Sequence, residues 1–277
     1  MLYNNVQAVD DENFVHEFDN LMMLDHMNII RLVGYCYETR RQHTEVEGKR
    51  VFGERTYKAL CFEYMHMGSL QRHLSDERTG LDWQTRYKII KGTCVGLKYL
   101  HEGLKEPIYH LDLKPDNILL DKNMMPKLAD FGLSKLFGEE QTRVTQTSIG
   151  IIGYLPPEYL FRNVISKKLD IFSLGVIITK IITGPKGHTR SAEISSQEFL
   201  NQVNENWRNR LEETCIPHTL EANCEQLSIC TDIGLRCMDM DRHKRPSIVD
   251  IIHVLDVTET MIEKVLALNH HVYASCL

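Results

Sequence analysis

Four polar side chains in one region of the sequence could together carry out phosphoryl transfer. Asp112 is a carboxylate that can orient a hydroxyl group and accept its proton, and Lys114 can neutralise charge on a transferring phosphoryl group. Asn117 and Asp130 supply an amide and a carboxylate oxygen, which are the hard ligands that Mg²⁺ prefers. These residue types indicate a metal-assisted transfer of phosphate to a hydroxyl group.

The spacing of these residues makes the signal specific. His110 stands two residues before Asp112, and an Asp-Phe-Gly triplet begins at Asp130, thirteen residues after Asn117. The alternative interpretation is a polar loop between two buried strands, which an isolated H-x-D would not exclude. The complete H-x-D-x-K-x-x-N pattern, followed by Asp-Phe-Gly at this distance, favours a catalytic loop.

Length and composition are typical of a globular protein. The 277 residues are 43% hydrophobic and 25% charged, which suits one large domain or two lobes with a substantial core. The net charge of -6 argues against a general binder of nucleic acids or of anionic membranes. The longest apolar run, 171–179, is shorter than the ~18 residues that span a bilayer, and no signal peptide is recognisable.

In the first quarter of the chain the hydrophobic pattern alternates between helix and strand. Helical spacing of apolar residues over 13–24 predicts a helix, and the acidic residues 10–12 suit its N-terminus. Apolar runs at 28–35 and 59–64 predict two strands. The polar and charged residues 38–57 predict an exposed connection between them.

The remainder of the chain predicts mainly helices. Apolar residues of 83–100 form one helical stripe, with Asp82 placed to cap the helix. The segment 169–183 is apolar nearly all round, which is typical of a helix buried in the centre of a helical lobe. A further helix follows Pro246, and helical spacing continues through the tail 258–277.

Together with the catalytic pattern, further strings of the sequence resemble the eukaryotic protein kinase family. They resemble in particular the plant receptor-like kinases of the group related to Pelle and the interleukin-receptor-associated kinases. The resemblance covers about residues 10–257, and Leu-Lys-Pro-Asp-Asn around Lys114 is similar to serine/threonine rather than tyrosine kinases. The other strings are Phe14-x-x-Glu17, His26-x-Asn28 through Cys36, Gly68-Ser69-Leu70, Tyr154 through Tyr159, Asp170-x-x-Ser173-x-Gly175 and Arg245-Pro246.

The resemblance implies an α+β fold of the protein-kinase-like, two-lobe type, with a truncated N-lobe and a complete, mainly α-helical C-lobe. Residues 1–65 would form the partial N-lobe, containing one helix, the last two strands and the hinge. Residues 66–257 would form the C-lobe, and residues 258–277 a C-terminal helical tail.

The resemblance also implies a role for each residue of the catalytic pattern. Asp112 would be the catalytic base, Lys114 would contact the phosphate, and Asn117 and Asp130 would be the Mg²⁺ ligands. Glu17 would be the helix carboxylate that pairs with the ATP-binding lysine. The implied cofactors are ATP and Mg²⁺, and the implied partner is a protein substrate or a signalling protein.

Further residues would shape the nucleotide site and brace the lobes. Glu63 and Met65 would contact adenine through hinge backbone groups, and Phe62 would guard the pocket behind them. Glu158 and Arg245 would form an ion pair that braces the substrate lobe. The residues that would stack as a hydrophobic column between the lobes are Leu21, Leu32, His110 and Phe131.

The nucleotide-binding half of the family pattern is missing from this sequence. In the family a Gly-rich loop and a strand with Val-Ala-x-Lys precede the helix that contains Glu17, but residues 1–16 include no glycine and no lysine. No G-x-G-x-x-G occurs anywhere in the chain. Met1-Leu2-Tyr3 resembles the part of the family sequence that directly follows the ATP-binding lysine. The two remaining strands would therefore expose an edge.

Two interpretations of this gap stay open. The first is that the sequence is a fragment, or an incomplete gene model, and that the complete protein is a kinase. Phosphoryl transfer by this chain would then be impaired, because losing one preorganised charge donor costs about 3 kcal/mol in the transition state. The second is a non-catalytic scaffold that binds partners through its C-lobe.

Two other departures concern the activation segment. Leu111 stands where many kinases have the arginine that pairs with a phosphorylated segment, so a phosphate would lose its usual receiver. Ile151 stands where the family has a threonine that bridges Asp112 and Lys114, and isoleucine cannot make those hydrogen bonds. The hydroxyls open to phosphorylation, or equally to an ordinary loop role, are Thr142, Thr145, Thr147 and Ser148.

The cysteines suggest the compartment. The eight cysteines form no C-x-x-C pair, which in a chain of this length without a secretory signal predicts buried free thiols in a reducing compartment. We therefore expect the chain in the cytoplasm, or on the cytoplasmic side of the plasma membrane if it is part of a longer receptor-like kinase.

Overall fold

The computed structural model begins with a small antiparallel sheet and one long helix. It describes residues 2–4, 9–46, 49–75, 80–136, 142–145, 149–215 and 219–274. The strands are β1 (Leu2–Asn4), β2 (Leu32–Val46) and β3 (Lys49–Phe62), in the order β1-β3-β2. Helix α1 (Val9–Met22) packs on this sheet, where the rings of Phe18 and Tyr35 meet edge to face, 4.8 Å between centroids.

The larger part of the described chain is mainly helical. Its helices are α2 (Trp83–Glu102), α3 (Pro157–Arg162), α4 (Lys167–Thr183), α5 (Gly187–Glu193), α6 (Ser196–Thr214), α7 (Leu220–Cys237) and α8 (Ile248–Ala274). Its short antiparallel strands are β4 (Gly68–Ser69), β5 (Ile108–Tyr109), β6 (Ile118–Leu120), β7 (Pro126–Leu128), β8 (Lys135–Leu136), β9 (Thr142–Val144) and β10 (Val164–Ser166). They form the sheets β4-β6-β7, β5-β8 and β9-β10. The expected α+β fold with a helix-rich C-lobe is confirmed.

Residues 38–57 are the outer part of a long hairpin, and the expectation of an exposed connection was wrong. β2 and β3 pair continuously through this stretch. The hydroxyls of Thr39 and Thr56 lie 3.0 Å apart, and Arg41 Nε donates to Glu54 Oε1 at 3.0 Å. Because this part of the hairpin lies largely in solvent, its sequence lacks the apolar alternation that marks a half-buried strand.

The strand boundaries differ from those expected. β2 begins at Leu32 instead of Asn28, because the preceding segment is bonded to the C-lobe. Ile30 N donates to Leu128 O, and Leu128 N donates to Asn28 O, both at 2.9 Å. β3 ends at Phe62, and β1 adds a third strand to the two that were expected.

The helices expected from hydrophobic periodicity are present. α1 covers most of the segment 13–24 and begins earlier, and α2 begins directly after Asp82. Asp82 caps α2 as expected, since its Oδ1 accepts a hydrogen bond from Thr85 N at 2.7 Å. α4 is buried along almost its whole length and ends before Gly184, so it forms the centre of the helical lobe.

α8 continues unbroken through the segment expected as a tail. It runs from Ile248 to Ala274, so residue 258 lies inside a helix that begins in the C-lobe. None of the helices in the described residues is both long and apolar enough to cross a membrane. In the first half of α8 the buried apolar residues are Ile248, Ile251, Ile252 and Leu255. The division of the chain into three parts stays a prediction.

The cysteines in the described residues are free thiols that range from fully buried to exposed. Cys94, Cys230 and Cys237 are fully buried between helices, as expected, and burial raises the pKa of each thiol. Cys36 and Cys61 are instead exposed on the β2–β3 hairpin. The expectation of buried thiols is therefore correct for Cys94, Cys230 and Cys237, and it is wrong for the hairpin; Cys215 and Cys224 of the helical lobe are partly buried.

Candidate active site

Asp112, Lys114 and Asn117 are held together in one short loop after β5. Lys114 Nζ lies 2.5 Å from Asp112 Oδ2, and Asn117 Nδ2 donates to the same oxygen at 2.9 Å. Asn117 Nδ2 also donates to the Asp112 carbonyl at 2.9 Å, which fixes the loop backbone. An immobilised carboxylate beside an ammonium group can orient a hydroxyl group and take up its proton.

A buried aspartate in α4 anchors this loop from the core. Asp170 is completely buried, and it accepts hydrogen bonds from the backbone N–H groups of His110 and Leu111 at 2.9 Å each. His101 Nε2 lies 2.8 Å from the same carboxylate. Burial alone would raise the pKa of Asp170, but the histidines and the Leu111 N–H outweigh burial and lower it. The residue before Asp112 is thereby fixed in position.

Asp170 is not among the site residues predicted from the sequence. The signal that could have found it is a single acidic residue near the start of an otherwise apolar helix. A buried charge is retained only where strong partners compensate its lost hydration, so such a residue points to a polar anchor.

Asp130 follows β7 and lies opposite the loop. Its backbone has φ +67°, a left-handed conformation that non-glycine residues rarely adopt. The next residue, Phe131, is fully buried, and its ring centroid lies 5.1 Å from that of His110. Burial of Phe131 therefore holds Asp130 in a strained backbone conformation at the edge of the site.

The four side chains expected to stack as a column lie in one connected core. Leu21 and Phe131 belong to the same buried cluster, and Leu32 packs against that cluster. His110 contacts Phe131 from the catalytic loop. The arrangement links α1, β2 and the loop that carries the catalytic residues.

Glu17 is buried on α1 at the same cleft. The side chains of Phe14 and Leu21, about one turn away on either side, are also buried, so this face of the helix points inward. A Cβ placed on Gly132 would lie 3.9 Å from Glu17 Oε2 and 3.6 Å from Asp130 Oδ1. The carboxylates of Glu17 and Asp130 therefore approach the same small region of the cleft.

A cavity of about 240 Å³ lies between these groups. It is lined by Glu17, Ile30, Phe62, Asp116, Asn117, Leu119, Ala129 and Asp130. Apolar side chains on one side suit a planar base, and oxygen-bearing side chains on the other suit a cation. A larger groove of about 550 Å³ lies between α2 and α8, and it contains none of the catalytic candidates.

The hinge backbone is fixed by bonds to both sides. Glu63 N donates to Arg31 O, and Gly68 N donates to Met65 O, both at 3.1 Å. The Glu63 carbonyl and the Met65 N–H are the groups of this segment that could contact a base. The residue before them, Phe62, lines the cavity.

The Glu63 side chain ties the hinge to β7. Its Oε1 accepts hydrogen bonds from Lys127 Nζ at 2.6 Å and from Arg31 N at 2.9 Å. Partial burial alone would raise the pKa of Glu63, but these two donors outweigh burial and lower it. The side chain of Glu63 is therefore structural, and Glu63 is not among the residues that line the cavity.

The expected ion pair between Glu158 and Arg245 is formed. Arg245 Nη1 and Nη2 donate to the two carboxylate oxygens of Glu158 at 2.6 and 2.8 Å. Arg245 is buried and also donates to the carbonyls of Asp239 and Lys168. This bidentate pair joins α3 to the turn before α8.

Leu111 is fully buried where many kinases would carry an arginine. Ile149 N donates to Tyr159 Oη at 2.7 Å beside it, which fixes the entry into the segment 149–156. The other members of this second apolar cluster are Tyr109, Ile149, Leu155, Tyr159, Ile165 and Leu169. Apolar packing therefore holds this part of the activation segment against the catalytic loop.

The candidate positions of the activation segment that the structure describes, Ile151, Thr142 and Thr145, are exposed or half-buried. Ile151 has 49% of its surface exposed. Thr142 is exposed in β9, where it pairs with Ser166 of β10, and Thr145 is half-buried. Thr147 and Ser148 lie outside the described residues.

These features are those of a protein kinase. The sequence-family model of the protein kinase domain matches residues 2–255, so the chain belongs to the protein kinase family.

Its relatives are plant receptor-like kinases. Cysteine-rich receptor-like protein kinases 41 and 44 of Arabidopsis thaliana are 34% and 35% identical, each over 89% of this chain. The G-type lectin S-receptor-like serine/threonine-protein kinase SD1-13 of the same plant is 34% identical over 88% of the chain. The matches cover 36%, 63% and 28% of these three proteins, so the chain spans less than two thirds of each.

Proposed function

We propose that this chain transfers the γ-phosphoryl group of ATP to a serine or threonine hydroxyl of a protein. The observation that carries the proposal is the Asp112 carboxylate, held at one oxygen by both Lys114 and Asn117. A carboxylate that is fixed in this way can orient a substrate hydroxyl group and accept its proton.

In this proposal each residue has a separate task. Asp112 accepts the proton of the substrate hydroxyl as its oxygen attacks the phosphorus, and Lys114 offsets the negative charge of the transferring group. Asn117 uses its amide nitrogen on Asp112, so its amide oxygen remains for a metal, and Asp130 provides a carboxylate. Mg²⁺ held there would neutralise charge on the phosphates.

The residues fit a metal that is shared with the nucleotide. In the described part of the chain no three His, Cys, Asp or Glu side chains are grouped so that they could hold a metal. Asn117 and Asp130 alone supply too few ligands for Mg²⁺, which commonly takes phosphate oxygens and waters as well. Glu63 and Met65 would contact adenine through the carbonyl and the N–H group named above.

The biological setting is a further part of the proposal. The names of the relatives describe receptor-like kinases, and one of them a serine/threonine-protein kinase. By this similarity we propose that the chain acts in receptor-like kinase signalling on the cytoplasmic side of the plasma membrane, on protein substrates or signalling partners.

A second candidate is a non-catalytic binding domain that uses the C-lobe. The observation in its favour is that none of the sixteen residues before Glu17 is a lysine and that the chain has no G-x-G-x-x-G. Without these groups, binding of the triphosphate would lose its usual donors.

Thermal unfolding with Mg²⁺-ATP, combined with a phosphotransfer assay, distinguishes the two candidates. A kinase should be stabilised by millimolar Mg²⁺-ATP and should label a protein substrate or itself. Asp112→Asn should keep the stabilisation and lose transfer by about 10²- to 10⁴-fold, whereas Asp130→Asn should lose both. Absence of stabilisation and of transfer in the unmodified chain would contradict catalysis and favour the binding domain.

A further inference from the structure

The β2–β3 hairpin presents a long, open strand edge. β2 has 15 residues and lies at the outside of the sheet, where β3 is its neighbour in the described structure. Strands that extended the sheet beyond β1 would add to the opposite side. In the described part of the chain no strand pairs with the outer edge of β2, and strands added beyond β1 would not reach that edge.

The outer part of this hairpin has little support from the rest of the molecule. β1 covers only Tyr57–Ala59 of β3, and α1 reaches the sheet through contacts at Tyr35 and Tyr37. Beyond these residues the hairpin has two strands, and none of the described helices covers it, an arrangement that is marginally stable in water. A third strand on the β2 edge would supply the missing support.

The usual protection of an edge strand is largely absent. β2 contains no proline, and its irregularity lies at its first residues, between Leu32 and Gly34, rather than along the exposed length. Edge strands that avoid pairing are commonly short, bent by bulges or interrupted by proline. The remaining protection comes from the charged side chains of β2. Their order along the strand is such that they would face opposite charges on β2 of a second copy.

Thr39 is the midpoint of β2, with seven residues on either side. In antiparallel pairing about a two-fold axis at Thr39, each of the residues 34–44, which follow the irregularity at the start of β2, has a partner in the other copy. Glu38 of each copy then lies opposite Arg40 of the other, and Tyr37 lies opposite Arg41. Opposite charges that face each other directly across strands are stabilising.

Neighbouring registers are less favourable. Directly opposite residues must share a face of the sheet, and moving the axis by one residue shifts the register by two and keeps this condition. An axis at Glu38 or at Arg40 would place that charged residue opposite its own counterpart, which is destabilising. An axis at Arg41 would face that arginine with itself. An axis at His43 would pair Arg41 with Glu45, but it would use only residues 40–46 of the strand.

We propose that β2 pairs antiparallel with β2 of a second copy of this chain, with the two-fold axis at Thr39, joining the two sheets into one. Glu38 and Arg40 now bond to each other within the chain at 2.9 Å, on side chains that are 50% and 65% exposed. In the dimer Glu38 of each copy would instead pair with Arg40 of the other copy. The Arg41–Glu54 pair within the hairpin is kept.

Charge reversal tests the register in solution. Sedimentation should show a concentration-dependent dimer for the unmodified chain. Glu38→Lys and Arg40→Glu should each weaken dimerisation about tenfold, because each turns two attractive cross-strand pairs into repulsive ones. The double variant Glu38→Lys/Arg40→Glu restores opposite charges at both positions and should recover the original dissociation constant. A chain that stays monomeric, or a double variant no better than the single ones, would overturn the proposal.

Disulfide trapping gives an independent test of the axis. In a Cys36→Ser/Cys61→Ser background, Thr39→Cys should form a covalent dimer under mild oxidation, because the two residues 39 face each other. Thr56→Cys is the matched control, since Thr56 neighbours Thr39 on β3 inside the sheet and lies far from its counterpart. Equal trapping at both positions, or at His43→Cys instead, would contradict the register. Circular dichroism of each variant shows that the fold is intact.

Discussion

The backbone N–H of Leu111 donates to Asp170 Oδ1 at 2.9 Å. This bond connects the residue before the candidate base to a fully buried carboxylate in the central helix of the C-lobe. Leu111 has φ +63°, a strained value for a residue with a branched side chain, and the anchor helps to maintain it. The position of Asp112 therefore depends on a residue that does not line the cleft.

Asp170→Asn should destabilise the fold. Asparagine keeps the shape but cannot accept all of the hydrogen bonds from His101, His110 and Leu111 as an ionised carboxylate does. We expect the free energy of unfolding, measured by urea denaturation, to fall by about 3 kcal/mol. The control Asp232→Asn changes an exposed carboxylate and should stay within about 0.5 kcal/mol of the original protein.

The same substitution should change the pH dependence of stability. The pKa of Asp170 is lowered in the folded protein, so its contribution is complete above the ordinary carboxyl pKa and is lost as pH falls through the folded pKa. The difference in unfolding free energy between the original chain and Asp170→Asn should therefore be constant near neutrality and shrink in acid. A difference that grew in acid would contradict this assignment.

Glu158→Ala should be costly because it leaves the buried Arg245 without its bidentate partner. We expect a loss of about 3 kcal/mol in unfolding free energy. Arg208 and Glu221 form a similar bidentate pair at 2.9 Å, but both side chains are well exposed. Glu221→Ala should therefore show no measurable loss, and equal effects of the two substitutions would show that burial is not the deciding factor.

Leu111→Arg, which would introduce the arginine that can bind a phosphate, should lower the free energy of unfolding. The leucine is buried among apolar side chains, so the guanidinium would lose its hydration without a partner. We expect a loss of about 3 kcal/mol or more, measured by denaturant unfolding, against less than about 1.5 kcal/mol for the volume-conserving Leu111→Met. Equal stability of Leu111→Arg and the original chain would show that the cluster opens readily.

Lys127→Met should raise the pKa of Glu63. The lysine donates at 2.6 Å and opposes the effect of partial burial, which remains when the charge is removed. A carboxyl-detected NMR titration of Glu63 measures the change directly. Lys122→Met removes an exposed lysine from the turn before β7 and should leave the Glu63 titration unchanged.

The catalytic candidates could be predicted from sequence because their contacts are local. Asp112, Lys114 and Asn117 lie within six residues, so spacing alone brings their side chains together. The anchor Asp170 could not be found in this way, because its partners His110 and Leu111 are 60 and 59 residues distant. Hydrophobic periodicity carries no information about such a polar contact.

The fold was predictable where one face of an element is buried. α2 and α4 show clear apolar patterns because they pack in the core. The outer hairpin has no buried face, and its cross-strand pairs, such as Arg41 with Glu54, look like an ordinary polar loop in sequence. Its strands are recognisable only from their pairing in three dimensions.

The reactivity of the buried cysteines in the helical lobe would report transient local unfolding of that lobe. Cys94 lies on α2, and Cys230 and Cys237 lie on α7, so a thiol reagent can reach them only when these helices separate. The exposed Cys36 and Cys61 react without such a step and supply an internal standard. The labelling rate of the buried thiols, relative to that of Cys36 and Cys61, therefore measures how often the kinase core is transiently exposed.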